Sequence, residues 1–198
     1  MRIGFLLLSA DPIHIAHVAL CTKVLNENYV DMVFVVPTVA NPWKSDPIGT
    51  FEERCEMIRN ACRFIPNCEL EDIEKDLFPP YYSCFTLDAL YKKYDGDHND
   101  LFIVSGADCI DGMPDWLHFN DMIRGRFKVL GFTREGKAPE TKEVEYQLIE
   151  SDFPDLSSTF IRQLASEGKT LYPYIPAANL EMCQQIYGDI ERQREFYV

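Results

Sequence analysis

Short, continuous apolar runs separated by longer amphipathic segments are the feature that most constrains the fold of this chain. Four runs rich in β-branched and aromatic residues lie at Ile3–Leu8, Met32–Pro37, Leu101–Ser105 and Phe127–Phe132. Runs of this length without polar alternation are typical of strands that are covered on both faces. We therefore expect buried, parallel strands at these four places.

Segments with helical spacing alternate with the runs. His14–Leu25 and Phe51–Phe64 follow the first two runs, and Thr86–Tyr94 and Leu180–Tyr187 supply further candidate helices. Alternation of strand and helix implies right-handed βαβ crossovers. The prediction is an α/β fold with a doubly wound parallel sheet and a small C-terminal helical part, in a single domain over residues 1–198.

Charge limits the classes of partner. The chain has 32 acidic and 19 basic residues, a formal net charge of −13. Such a chain lacks the general basic face that nucleic acids and anionic membranes require, so we expect neither as a partner. An anionic substrate must be met by a local cluster of cations.

Cysteine usage and the N-terminus indicate a cytoplasmic protein. The seven cysteines are scattered and contain no C-x-x-C pair, which favours reduced thiols over a disulfide framework or a zinc knuckle. The first apolar run is too short for a membrane span and is not followed by a cleavage site.

Ligands of open α/β sheets bind beyond the carboxyl ends of the strands, where the strand order reverses. This rule directs attention to Ser9–His17, Pro37–Lys44, Ser105–Asp108 and Thr133–Gly136. The acidic, weakly periodic stretch Glu135–Asp155 is expected to be a mobile excursion.

Two histidines follow the first predicted strand. His14 and His17 are three residues apart, after an Asp-Pro turn, and share one face of the first turn of a helix. That position suits phosphate, because backbone N–H groups and the positive end of the helix dipole lie beside it. A solvated pair or half of a metal site are alternatives, although the H-E-x-x-H pattern of a zincin is absent.

A run of hydroxyls precedes an arginine near the C-terminus. Ser157, Ser158 and Thr159 offer a helix cap and exposed donors, and Arg162 falls on the same side of the helix that begins there. Hydroxyls, N–H groups and a guanidinium together can grip phosphate. A well-capped helix without such a role is the alternative.

Four further residues give weaker signals. Lys44 lies in a loop, where most lysines are simply solvated. Trp116 lies in a Pro-Asp-Trp segment, although most tryptophans belong to the core or its rim. Gly106 ends a predicted strand and would let a ligand approach the backbone, and Asp108 could accept ribose hydroxyls or hold a metal-bound water.

Taken in order, six segments resemble the motifs of the nicotinate (or nicotinamide) mononucleotide adenylyltransferases, of the HxGH-type nucleotidyltransferase superfamily. The resemblance spans nearly the whole chain. The six segments are Ser9–His17, Asn41–Lys44, Phe51–Met57 (with Arg54), Phe85–Leu90, Phe102–Trp116 and Ser157–Arg162.

The chain departs from the family pattern in its glycines. Leu7 and Leu8 stand where the family has glycines before the hydroxyl residue, and Ala16 replaces the glycine of H-x-G-H. Glycine permits close backbone approach to phosphate. A divergent but active enzyme is expected.

The resemblance implies adenylyl transfer from ATP to a pyridine mononucleotide, with Mg²⁺ arriving with ATP and no metal held by the protein itself. It implies catalytic roles for His17, His14 and Arg162. The implied ATP-binding residues are Ser9, His14, His17, Gly106, Asp108, Ser157, Ser158, Thr159 and Arg162. The implied mononucleotide-binding residues are Ser9, Lys44, Thr86 and Trp116.

Other functions stay open at this point. They are another adenylyl- or cytidylyltransferase of the superfamily, such as one acting on phosphopantetheine, a non-catalytic nucleotide-binding regulator, and a metallohydrolase using His14 and His17. Pro79–Cys84 and Arg134 could serve either a nicotinate or a nicotinamide ring. Whether the chain forms a homo-oligomer is also open.

Overall fold

Six parallel strands form one sheet at the centre of the protein. The computed structural model describes residues 1–42, 45–123, 125–133, 136–151, 153 and 156–189. The strands are β1 (Arg2–Leu8), β2 (Met32–Pro37), β3 (Cys68–Leu70), β4 (Asp100–Gly106), β5 (Lys128–Phe132) and β6 (Gln147–Ile149). Their order across the sheet is β3-β2-β1-β4-β5-β6, and every neighbouring pair is parallel.

Helices cover both faces of the sheet. They are α1 (Ile15–Asn26), α2 (Phe51–Cys62), α3 (Ser83–Lys93), α4 (Ala107–Gly112), α5 (Phe119–Met122), α6 (Ser158–Ser166) and α7 (Leu180–Tyr187). Short 3₁₀ turns lie at Ile73–Asp76, Met113–Asp115 and Ala177–Asn179. The predicted doubly wound α/β fold, with helices at its C-terminal end, is confirmed.

Alternate residues of the strands enter two separate apolar layers, as the pleat of a strand requires. Val33 and Val35 pack with α1, α2, α6 and α7 on one face, which we call the α1 face. Phe34 and Val36 pack with α3, α4 and α5 on the other, the α3 face. Because both layers are apolar, the strands read as continuous hydrophobic runs.

The strand order reverses between β1 and β4. The chain builds outward from β1 to β3, then returns to the middle of the sheet at β4 and builds outward to β6 on the other side. The connections that leave the carboxyl ends of β1 and β4 therefore run in opposite directions and leave a crevice between them.

The structure departs from the predicted elements at several places. Helix α2 ends at Cys62 and Phe64 is 78% exposed, so the predicted helical segment Phe51–Phe64 extends two residues too far. The edge strands β3 and β6 were not predicted, and β6 lies inside Glu135–Asp155, the expected excursion. A single domain stays a prediction. No helix within the described residues is both long and apolar enough to cross a membrane.

Candidate active site

A cavity of about 490 Å³ opens at the carboxyl ends of β1, β4 and β5. Its lining combines residues from both ends of the chain. All nine residues implied to bind ATP are in it: Ser9, His14, His17, Gly106, Asp108, Ser157, Ser158, Thr159 and Arg162. The topology therefore brings together segments that lie about 150 residues apart in the sequence.

The two histidines are organised by the start of α1. His14 is the N-cap, with extended backbone (φ −137°, ψ 172°), and is only 4% exposed. Its backbone N–H donates to Nδ1 of His17 at 3.3 Å, and the two rings stack with centroids 3.6 Å apart. Because a backbone N–H can only donate, Nδ1 of His17 is the acceptor and the ring hydrogen lies on Nε2. His17 itself is part of the cavity lining.

Helix α6 is tied to the loop after β1. Ser157 caps it, as hydroxyl residues commonly do, by accepting from the backbone N–H of Phe160 at 3.2 Å. The hydroxyl of Ser158 donates to the carbonyl of Pro12 at 2.9 Å. These contacts hold the N-terminal end of α6, where uncapped N–H groups collect, at the cavity.

Arg162 is held at two points. Its Nη1 donates to the carbonyl oxygen of Asp11 at 2.7 Å, and its Nη2 donates to Oγ1 of Thr159 at 3.1 Å. Nη1 also lies 3.6 Å from the carboxylate of Asp11. The Nε atom is buried and has no hydrogen-bond partner among the described residues. The guanidinium is oriented by the protein and keeps donor capacity at the cavity.

Asp11 joins more parts of the site than the sequence suggested, since the pattern indicated only a turn. Asp11 is 7% exposed, and its carboxylate accepts from the backbone N–H groups of Ile48 at 3.0 Å and Gly49 at 2.9 Å. It also accepts from the hydroxyl of Tyr187 at 2.8 Å. The sequence held one signal for this role of Asp11, namely a carboxylate shortly after a buried strand.

Arg54 is a second missed contributor, because the resemblance gave it no role in the site. Its side chain is 1% exposed, and burial lowers its pKa. One signal was available: Arg54 precedes Met57 and Ile58 on the buried stripe of α2. Its guanidinium donates to backbone carbonyls in the loops that border the cavity, namely those of Ser9, Thr38, Val39 and Gly49.

The residues implied to bind the mononucleotide do not all lie at the cavity: Ser9 is in its lining, and Thr86 and Trp116 are not. Thr86 is fully buried, its hydroxyl donates to Glu74 at 2.6 Å, and it is not in the lining of this cavity, so its implied place beside the mononucleotide stays a prediction. Trp116 is partly buried against the α3 face and is not in the lining of this cavity. Lys44 and Arg134 lie outside the described residues.

The positions that depart from the family glycines all face the cavity. Leu7, Leu8 and Ala16 contribute to its lining. At Gly106, by contrast, glycine is retained, and a Cβ there would lie 3.1 Å from Oδ1 of Asp108. Within the described ranges, no group of three or more His, Cys, Asp or Glu side chains is arranged to hold a metal ion.

Comparisons with known proteins agree on one family. Residues 9–164 match the cytidylyltransferase-like family model. A Thermotoga petrophila protein named "Probable nicotinate-nucleotide adenylyltransferase" is 30% identical over 194 residues, covering 94% of this chain and 97% of its own length. The nicotinate-nucleotide adenylyltransferase of Bacillus subtilis is 29% identical over 178 residues, covering 88% of this chain and 91% of its own.

A solved structure agrees with the fold. The Plasmodium falciparum nicotinic acid mononucleotide adenylyltransferase, complexed with NaAD, superposes with a TM-score of 0.75 at 20% identity. The match covers 94% of this chain and 97% of that one. The chain therefore belongs to the cytidylyltransferase-like family and, within it, to the nicotinate-nucleotide adenylyltransferases.

Proposed function

We propose that this chain transfers the adenylyl group of ATP to nicotinate mononucleotide, releasing pyrophosphate and forming the dinucleotide in NAD biosynthesis. One observation carries the proposal. His17, Arg162 and the N-terminal end of α6 line one cavity at the reversal of strand order. These are donors for a polyphosphate, gathered in a chain whose overall charge is strongly negative.

The chemistry requires no nucleophile from the protein. A phosphate oxygen of the mononucleotide attacks the α-phosphorus of ATP, a new P–O bond forms, and the bond to the pyrophosphate oxygen breaks in line with it. The protein accelerates such a step by positioning the reactants and neutralising the charge that moves to the leaving group.

His17 donates from Nε2 to the ATP phosphates and stabilises the charge that builds during transfer. His14 supports it through the stacked ring and the bond from its backbone N–H to Nδ1. Arg162 holds the β- and γ-phosphates together with Ser157, Ser158 and Thr159. These three residues form the start of α6, where backbone N–H groups can donate to a phosphate. Mg²⁺ enters bound to ATP, as part of that substrate.

The remaining assignments concern the ribose and the mononucleotide. Gly106 and Asp108 border the ribose of the nucleotide. Ser9 and Lys44 hold the mononucleotide phosphate, and Trp116 stacks on the pyridine ring. If Trp116 stacks there, adding the mononucleotide to a Trp43→Phe protein quenches or shifts the remaining tryptophan fluorescence. An unchanged spectrum at saturating mononucleotide removes Trp116 from the site.

Pyrophosphate release tests the function directly. Purified protein is given MgATP with nicotinate mononucleotide, nicotinamide mononucleotide or phosphopantetheine, and MgCTP replaces MgATP in a parallel series. We expect the highest kcat/KM with MgATP and nicotinate mononucleotide. Nucleotide binding without release from any pair would indicate the regulator instead, and a preference for another pair would assign a different transferase.

A further inference from the structure

The tyrosine that ends α7 reaches the site from the far end of the described chain. Tyr187 is fully buried, and its hydroxyl donates to Oδ1 of Asp11 at 2.8 Å. Burial raises the pKa of Tyr187 well above its ordinary value, so the hydroxyl remains a neutral donor at any working pH.

Asp11 connects Tyr187 to the lining of the cavity. Its two carboxylate oxygens are held by Tyr187 and by the N–H groups of Ile48 and Gly49. Nη1 of Arg162 contacts the same residue twice, with the carbonyl oxygen at 2.7 Å and the carboxylate at 3.6 Å. A carboxylate fixed from three sides therefore lies beside the guanidinium, whose Nη1 also donates to the main-chain carbonyl of the same residue.

Gly49 keeps the space that this arrangement needs. A Cβ at this position would lie 2.9 Å from the hydroxyl oxygen of Tyr187 and 3.3 Å from Oδ1 of Asp11. Since real Cβ atoms essentially never lie within 3.0 Å of another atom, a larger residue would force the tyrosine hydroxyl or its surroundings to shift, and it would also crowd Cγ of Arg54 at 3.3 Å. The absence of a side chain at Gly49 is thus a condition for the Tyr187–Asp11 hydrogen bond.

We propose that Tyr187 is a positioning residue for adenylyl transfer, acting through Asp11 to orient Arg162 toward the polyphosphate. The proposal rests on the proposed function. It also predicts a property that a tyrosine serving only the core would lack: its contribution to ATP handling depends on the presence of Arg162.

The test is a double-mutant cycle on ATP binding and turnover. Tyr187→Phe keeps the buried ring and removes one donor, and we expect the KM for ATP to rise about three- to tenfold, with the mononucleotide KM changed less than about twofold. In an Arg162→Ala background, the same substitution should add nothing. Tyr29→Phe, a partly buried tyrosine against the α1 face that is absent from the cavity lining, serves as the matched control.

Equal effects of Tyr187→Phe with and without Arg162, or an unchanged KM for ATP in the folded variant, would overturn the proposal. If Tyr187→Phe fails to fold, Gly49→Ala supplies the second route, since displacing the hydroxyl should give the same dependence on Arg162. The same double-mutant cycle is then repeated with the dissociation constant for ATP, measured by calorimetry in the absence of mononucleotide. A protein that shows the coupling in ATP binding but releases no pyrophosphate would refute the proposed function, and only the part of the proposal in which Tyr187 orients Arg162 toward bound ATP would stand.

Discussion

Two arginines hold the same loop after β1, and their surroundings differ in an instructive way. Arg54 donates to the carbonyl of Ser9, and Arg162 donates to the carbonyl of Asp11, two residues later. The guanidinium of Arg54 donates hydrogen bonds to four backbone carbonyls, and Arg54 lies outside the lining of the cavity. Arg162 lies in that lining, its side chain 18% exposed.

The difference distinguishes a cation whose donors serve the fold from one that lies beside a cavity, where we expect it to meet a ligand. A buried guanidinium whose N–H groups meet main-chain oxygens replaces hydrogen bonds that the loops cannot make themselves. A guanidinium held at two points, with donors remaining beside a cavity, is oriented for something that the protein does not supply. Removing the first should therefore reduce stability, and removing the second should reduce activity.

The largest expected effect is on stability. Arg54→Met keeps the apolar stem but leaves four carbonyls without their donor, so we expect the free energy of unfolding to fall by about 3–5 kcal/mol. Urea denaturation measures it. Arg59→Met on the same helix is the control, because Arg59 is about half exposed and its pairing with Glu56 contributes little. Similar losses for the two variants would break the comparison.

Arg162→Ala should act mainly on catalysis. We expect kcat/KM for ATP to fall about 10²-fold, because a charge-assisted contact to the polyphosphate is lost, while the urea midpoint changes far less than in Arg54→Met. Arg162→Lys should fall between the wild type and Arg162→Ala, since it keeps the charge and loses the planar fork. An unchanged KM for ATP and an unchanged rate would remove Arg162 from the site.

Two substitutions at His17 test which of its ring nitrogens donates to the ligand. His17→Gln can place an N–H near the position of Nε2, whereas His17→Asn can place one only near Nδ1. We expect losses in kcat of about tenfold and about 10²-fold respectively. The ranking follows from the bond that Nδ1 of His17 accepts from the backbone of His14. A smaller loss in the asparagine variant would contradict the assigned donor.

The smallest expected effect is a pH dependence of the folding stability, and it arises from Glu74, which feels the charge of Arg54. Glu74 is 1% exposed, and burial raises its pKa despite bonds from Thr86 and Val39 and the charge of Arg54. A raised pKa in the folded state means that stability is lost as the pH rises through it. The Glu74→Gln protein lacks this loss, so its stability relative to the wild type should increase as the pH rises above the ordinary glutamate pKa of about 4.3. Urea titrations at each pH measure the difference, and a constant or decreasing difference would contradict it.

The strands that carry the site were predictable because continuous apolar runs have few other uses in a chain of this size. The edge strands β3 and β6 were not, because three residues give no periodicity and their pairing depends on neighbours far along the chain. The end of α2 was misplaced because Phe64 extended the apolar spacing past the last helical turn.

The placement of His17 and Ser157–Arg162 in one cavity was predictable because each belongs to a local sequence motif, while their roles stay a prediction. The site was less predictable where tertiary contacts assign the role. Nothing local distinguishes the buried hydroxyl of Thr86 from one that faces a ligand, and nothing near Tyr187 indicates that it meets Asp11, 176 residues away.

The bonds from Ser158 and Arg162 to the loop after β1 join residues separated by 146 and 151 positions. One wall of the cavity is consequently synthesised well after the other. A nascent chain still on the ribosome, with β1 to β5 emerged and α6 still in the exit tunnel, would have the histidine wall but no opposing one. Nucleotide capture should therefore begin only after α6 has emerged and docked against the loop after β1.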